Sequence, residues 1–465
     1  MYAGREYDAS WREPYFERVL SELGGDDRAK GIVSALKTMY TMYTDDLIEW
    51  YANLYDPYYG AWYCTTSGKE NEGFLPDIES TSQALNFINQ SGLIDHLGGD
   101  WTKILPDEMK QKLIKFAKRM QEPNGFFYNF LKTAEEGDSY LGKRGRDLGW
   151  CTSMLCKLGA SPTYDAPNGM KGDGIDYNGN PVLSNSDAKF DDNTPSVSKN
   201  YPDYLENRET FLAYLNDTVD IVNETYIYGN QLNGTYGQIK ARDEALKAEG
   251  CDYSLCDTLI DWLNERIDPN TGYWSPMPTF AGTNGYFKVI TIYNAWGYPY
   301  PALEKAADSV IAGILGDEPS TKNICEVYNL WSALISTKQN AKSCHSEEMS
   351  RNILEKINDL MLNKGEAAIL NTYKKQSAYQ MPDGAFAHGV TKCLRGHQGK
   401  IPVGLGLEEG DVDAIGKATT GITRSIFSAY EIEEVPIYSK REWDKYFEIM
   451  KNSKPVLKLE TKIYR

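Results

Sequence analysis

Four times along the chain, a segment with helical spacing of apolar residues runs into a short turn of Pro, Asn, Asp and Gly that ends on an aromatic residue. The turns are Asp56-Pro57-Tyr58-Tyr59-Gly60-Ala61-Trp62, Glu122-Pro123-Asn124-Gly125-Phe126-Phe127, Asp268-Pro269-Asn270-Thr271-Gly272-Tyr273-Trp274 and Pro382-Asp383-Gly384-Ala385-Phe386. Ahead of the third, Leu255, Leu259, Trp262, Leu263 and Ile267 recur at helical spacing. A chain that repeats helix, tight turn and helix cannot bury the face of one hairpin alone and must stack each hairpin on its neighbours. The turns are therefore architectural first, with Gly supplying positive φ and Pro or Asn opening the turn. Their rings have a second use, because a flat apolar face at the mouth of such an assembly can stack on a sugar. Trp62 and Trp274 are the candidates for that contact.

Apolar periodicity with ends at Gly or Pro predicts further helices over 26–45, 79–97, 106–121, 147–158, 204–228, 301–315, 321–337, 346–362 and 412–431. Strand alternation is nearly absent, apart from one short candidate over 455–463. The expected class is all-α, an (α/α)6 or (α/α)7 toroid in which residues 1–465 form a single domain. The exception is about 160–201, a stretch rich in Asp, Asn, Gly, Ser and Pro that is too polar for a core and reads as a lid. Its Asp173, Asp176, Asn178 and Asn180 follow a calcium-loop rhythm only in part and lack the terminal Glu.

The formal net charge is −17, so the overall field repels nucleic acid and anionic lipid surfaces. A polyanionic substrate is also disfavoured unless Arg and Lys are concentrated at the site. No apolar run reaches the roughly 18 residues needed to cross a bilayer, and the first residues carry no signal pattern, so a cytoplasmic protein without membrane contact is expected. The eight cysteines are scattered; Cys151/Cys156 and Cys251/Cys256 match no common zinc spacing, and buried free thiols are expected. No metal or cofactor is assigned, and the oligomeric state is not read from the sequence.

If hairpins close into a ring, their loops converge on one pocket, and five polar motifs are candidates to meet there. Asp77 and Glu79 stand at a helix start, where carboxylates cap and also suit sugar hydroxyls or acid/base work. Arg144 and Arg146 sit in Lys143-Arg144-Gly145-Arg146-Asp147, also at a helix start; cations there oppose the helix dipole, which points to an anionic partner. Gly282-Thr283-Asn284-Gly285-Tyr286-Phe287-Lys288, with Tyr293 beyond it, brings Asn284, Tyr286 and Lys288 close in sequence. A Tyr near a cation can lose its proton and serve as a base. His388, Arg395 and His397 form the fourth group and contain two of only four histidines. Glu409 and Asp411 belong to an acidic run entering the last long helix, more acid than a cap requires.

On the Asp268–Trp274 turn followed by 282–288, and on 383–386 followed by Glu409-Gly410-Asp411, the chain resembles glucuronan and alginate lyases built only from an (α/α) barrel. That resemblance implies a lyase cleaving a uronic-acid-containing poly- or oligosaccharide by β-elimination. It places Asn284, Arg146 and His388 as neutralisers of the uronate carboxylate and Tyr286 as base and acid. Arg395 and His397 become further charge partners. Trp62, Asp77, Glu79, Arg144, Trp274, Lys288, Tyr293, Glu409 and Asp411 fall to substrate binding. One alternative is a glycoside hydrolase using two carboxylates from Asp77, Glu79, Glu409 and Asp411. The other is a glycan-binding toroid without catalysis.

Overall fold

In the computed structural model of the chain, residues 7–91, 100–131, 141–182, 201–277, 280–316, 322–397 and 401–458 are described. Helix accounts for 61 % of the protein and strand for two hairpins of two-residue strands, so the class is all-α. No helix among the described residues is long and apolar enough to cross a membrane.

Six helices form a closed succession of contacts: α1 (Ile78–Gln90), α2 (Leu141–Lys157), α3 (Thr225–Ala248), α4 (Phe280–Trp296), α5 (Ile324–Cys344) and α6. The last comprises Val412–Gly416, a π turn at Lys417–Gly421 and Ile422–Tyr430. Each packs on the next, and α6 packs back on α1. A second set lies against them: Asp107–Arg119 on α2, Leu255–Asn264 on α3, Leu303–Leu315 on α4 and α5, and Glu347–Asn363 on α5 and α6. The two sets differ in pattern for a physical reason. Asp107–Arg119 buries one stripe, Leu113, Phe116 and Ala117, and leaves charge outside. In contrast, α4 buries Thr283, Asn284, Tyr286, Val289, Ile290, Ile292 and Tyr293 around more than one face, as a helix enclosed by others must.

Close approach of the six helices depends on small residues. A Cβ at Gly145 of α2 would stand 1.9 Å from the Gly234 carbonyl oxygen of α3. Gly145→Ala is expected to push these helices apart and cost about 1–3 kcal/mol. Urea unfolding should show a lower midpoint at unchanged slope; an unchanged midpoint contradicts the contact.

All four sequence-defined turns form. In each, an Asp or Asn side chain accepts a backbone N–H two residues on: Asp56 from Tyr58, Asn124 from Phe126, Asp268 from Asn270 and Asp383 from Ala385, at 2.8–3.0 Å. Gly60, Gly125, Gly272 and Gly384 take positive φ. The aromatics that end them, Trp62, Phe127, Trp274 and Phe386, go inward, while Tyr58 within the first turn stays exposed. Trp62 and Trp274 are fully buried, with Trp274 Nε1 donating to the Leu263 carbonyl at 2.9 Å, so neither ring offers a face to a sugar and that expectation is corrected.

The predicted 204–228 helix is two, Arg208–Thr218 and α3, separated where Asp220 caps a turn by accepting from Asn223 N–H at 3.1 Å. Residues 455–458 are not strand, and 459–463 lie outside the described residues. The same holds for 183–200 of the polar stretch. In the part described, Lys118 Nζ donates to both Asp173 oxygens and to the Ile175 carbonyl, while Asp176 accepts from Asn178 and Asn180 N–H. An ammonium and backbone amides thus hold the carboxylates whose rhythm suggested calcium.

Candidate functional site

The site is assembled from helix starts. Glu79, Tyr226, Cys325 and Asp413 are each the second residue of their helix, α1, α3, α5 and α6. Helix N-termini carry partial positive charge and favour anions in the first turn. Asp77 caps α1, accepting from Ser80 N–H at 2.9 Å and Ser80 Oγ at 2.6 Å. Asp411 caps α6, accepting from Ala414 N–H at 2.8 Å, and also takes the N–H groups of His388 at 2.7 Å and Leu394 at 3.2 Å.

One half of the site is a buried charge network. Glu79 Oε1 lies 2.5 Å from Arg146 Nη2, and Glu79 Oε2 lies 3.2 Å from Lys143 Nζ and 3.6 Å from His397 Nδ1. His397 Nε2 reaches Asp77 Oδ1 at 3.2 Å, while Lys143 also pairs with Asp147, one helical turn on. Asn129 closes the network, accepting from Ile78 N–H at 2.8 Å and donating to Asp147 Oδ2 at 3.1 Å. Burial works against the charge on Glu79, but Arg146, His397 and Lys143 outweigh it and hold the carboxyl well below its ordinary range. Burial pushes Asp147 up to about 6 despite Lys143.

His397 moves the other way. Burial disfavours its charged form, yet Glu79 and Asp77 raise its pKa above 6.5. A raised folded pKa means this contribution to stability is complete below pH 6.5 and is lost as pH rises through the folded value. In NMR titration His397 should protonate above pH 6.5, and in Asp77→Asn at a lower pH than in the wild type. An unchanged titration would contradict the pairing.

The other half opens outward. Asp413 Oδ2 lies 3.3 Å from His388 Nδ1, and Asp413 Oδ1 pairs with Lys417 and accepts from Gln83 Nε2 at 3.3 Å. Cys325 Sγ stands 4.0 Å from the same His388 Nδ1. Lys417 begins the π turn of α6, a widening that recurs at functional sites. Lys288 of α4 makes no ion pair among the described residues; burial pushes it down to about 8, with Arg146 and Lys417 adding to the shift. Tyr226 feels Cys325, Lys417, Arg146 and Asp413, and burial raises its pKa. These mutual influences join both halves in one centre. The side chains of His388, Arg146 and Lys417 keep 27 %, 20 % and 17 % of their exposure, so solvent reaches them. Arg146 also lies 4.6 Å over the Trp150 ring, and both line a cleft of about 270 Å³ with Asn233 and Gln238.

Of the residues expected from sequence, Glu79, Asp77, Arg146, Lys288, His388 and His397 come together here. Tyr286 does not. It is fully buried, its hydroxyl 2.9 Å from Thr337 Oγ1 and its ring stacked on Tyr273, and burial raises its pKa, so its assignment as base is corrected. Tyr293 is likewise core, donating to Asn264 Oδ1 at 2.7 Å. Asn284 is buried one turn before Lys288, its Oδ1 without a hydrogen-bond partner among the described residues. Arg144 is buried with its guanidinium 4.2 Å over Phe126, and Arg395 is exposed, packed over Gly406. Glu409 accepts from Ser67 N–H at 3.1 Å and Cys393 Sγ at 3.4 Å. Asp77, Asp411 and Glu409 are thus committed to backbone and neighbouring groups rather than poised as a hydrolytic pair.

Tyr226, Cys325 and Lys417 were not singled out from the sequence, and Asp413 entered only as a member of the acidic run 408–414. The Asp413/Lys417 pair at i,i+4 was a readable signal; Tyr226 and Cys325 carry none locally. Comparison with protein-family models, curated proteins and solved structures finds no match.

Proposed function

We propose that the closed succession of six helices is the inner ring of an (α/α)6 toroid and that its polar centre is the active site of a lyase. The substrate is a carbohydrate that carries a carboxylate, cleaved by β-elimination. The observation that carries this reading is Lys288, an ammonium without an ion pair among the described residues, held beside Arg146 and Lys417 in a half-open site. With Arg146 and Lys417 matched by Glu79 and Asp413, Lys288 is the surplus cation that a protein of net charge −17 needs in order to accept an anionic sugar.

The reaction follows from the chemistry of the groups. Arg146 and Lys417 offset the uronate carboxylate and make the adjacent C5 proton acidic. Lys288, with its pKa near 8, has an amine form available to take that proton. The C5–H electrons form the C4–C5 double bond as the C4–O4 bond breaks. Tyr226, which keeps its proton because burial raises its pKa, gives that proton to O4. Solvent then exchanges protons with both groups and restores them. Trp150 offers a ring face to a neighbouring sugar in the cleft it shares with Arg146.

The test is ultraviolet absorbance of the unsaturated uronate during incubation with a panel of uronate-containing glycans, beside a reducing-sugar assay. Absorbance and reducing ends should rise together. Reducing ends without absorbance would replace elimination by hydrolysis, and binding without either would replace it by a non-catalytic role.

A further inference from the structure

We propose that Cys325, His388 and Asp413 form a zinc site. Sγ of Cys325, Nδ1 of His388 and a carboxylate oxygen of Asp413 all lie within 4.8 Å of one another, on three separate stretches of chain. Tetrahedral zinc with bonds of about 2.3 Å to sulfur and about 2.0–2.2 Å to nitrogen and oxygen places neighbouring ligand atoms about 3.3–3.6 Å apart. The His388–Asp413 separation is 3.3 Å, the Cys325–His388 separation 4.0 Å and the Cys325–Asp413 separation within 4.8 Å, so the thiol closing in by up to about 1 Å completes the geometry.

Two further features distinguish a ligand set from a nucleophile triad. In a triad the two imidazole nitrogens are divided, one to the nucleophile and one to the carboxylate. Here Cys325 and Asp413 both approach Nδ1, at 4.0 and 3.3 Å, so three atoms able to ligate a metal cluster together while Nε2 takes no part in the cluster. The supports are also those of a ligand set. Asp413 turns its other oxygen to Lys417 and Gln83. The His388 backbone is fixed at both ends, its N–H donating to Asp411 and its carbonyl accepting from Ile324 N–H at 3.0 Å, next to Cys325. Mixed sulfur, nitrogen and oxygen donors suit zinc over magnesium or calcium. Three protein ligands on a partly exposed histidine leave a fourth position for water or a substrate oxygen, the arrangement of a catalytic rather than a purely structural zinc. Sequence spacing could not reveal it, because Cys325 and His388 are 63 residues apart. This site stands on its own geometry and does not depend on which sugar is cleaved.

The experiment is metal analysis of the full chain after exhaustive dialysis, followed by replacement with Co(II). About one zinc per chain is expected, with a thiolate-to-cobalt charge-transfer band in the near ultraviolet. Cys325→Ser should lose the band, and His388→Ala should lose most of the metal. In the wild type alone, zinc should slow alkylation of Cys325 by iodoacetamide at least tenfold, read by peptide mass. That arm needs no folded variant. Wild-type protein without zinc or cobalt absorption, metal retained in full in Cys325→Ser with the band intact, or alkylation indifferent to zinc would each overturn the site.

Discussion

Lys288→Met is expected to lower kcat by about 10²–10⁴-fold on a uronate glycan, the range general-base catalysis supplies. Lys288→Arg should not rescue it, because a guanidinium keeps its proton at any working pH. That comparison separates a base from a mere positive charge. In the wild type, the rate should rise with pH through about 8 as the amine form accumulates. Stability gives an independent reading. The folded pKa lies below the ordinary 10.5, so the folded state holds the ammonium at a cost that is full below about 8 and fades as pH climbs toward 10.5. Removing the charge should therefore raise the melting temperature at neutral pH while activity falls. A variant that loses activity and stability together would mark Lys288 as structural.

Glu79→Gln is the second large effect. Glutamine keeps the shape but withdraws the one negative charge shared by Arg146, Lys143 and His397. Breaking a buried pair from one side typically costs about 3–5 kcal/mol, because the partners stay behind uncompensated. Arg146 loses this ion pair while Lys143 keeps Asp147 and His397 keeps Asp77, so the lower half of that range is expected in urea unfolding. The pH dependence has a definite sign. Glu79, Asp77 and Asp413 are held below their ordinary values, so their contributions are present above about pH 4.5 and disappear as pH falls through the folded values. The variant should lose less stability on acidification than the wild type. A loss under about 1 kcal/mol would show the network to be screened like a surface pair.

What could be read from sequence, and what could not, follows from how far each signal reaches along the chain. The turns at 56–62, 122–127, 268–274 and 382–386 were legible because Gly, Asn and Asp fix them locally, and all four form. Helix α3 was missed over most of its length because Gly229, Asn230, Asn233 and Gly234 are buried or partly buried against neighbours rather than arranged on one apolar stripe. Arg146 drew notice as a cation expected at the start of a helix over 147–158, but that helix begins at Leu141, so Arg146 lies more than a turn inside it and pairs with Glu79. Tyr286 shows the limit of reading by proximity. It lies two residues from Lys288, which on a helix turns it to another face, whereas Asn284 at i−4 shares the face of Lys288. Tyr226 and Cys325 meet the Asp413/Lys417 pair only through tertiary packing, and nothing in their own local sequence announces the meeting.

The central claim is elimination at the polar centre, and isotope incorporation tests it most directly. Uronate glycan is incubated with the protein in water enriched in ¹⁸O, and the new chain ends are weighed by mass spectrometry. Elimination takes no oxygen from water, so an unsaturated end one water lighter than the hydrolytic product and free of label is expected. Labelled, saturated ends, or no new ends from any uronate glycan, would contradict it.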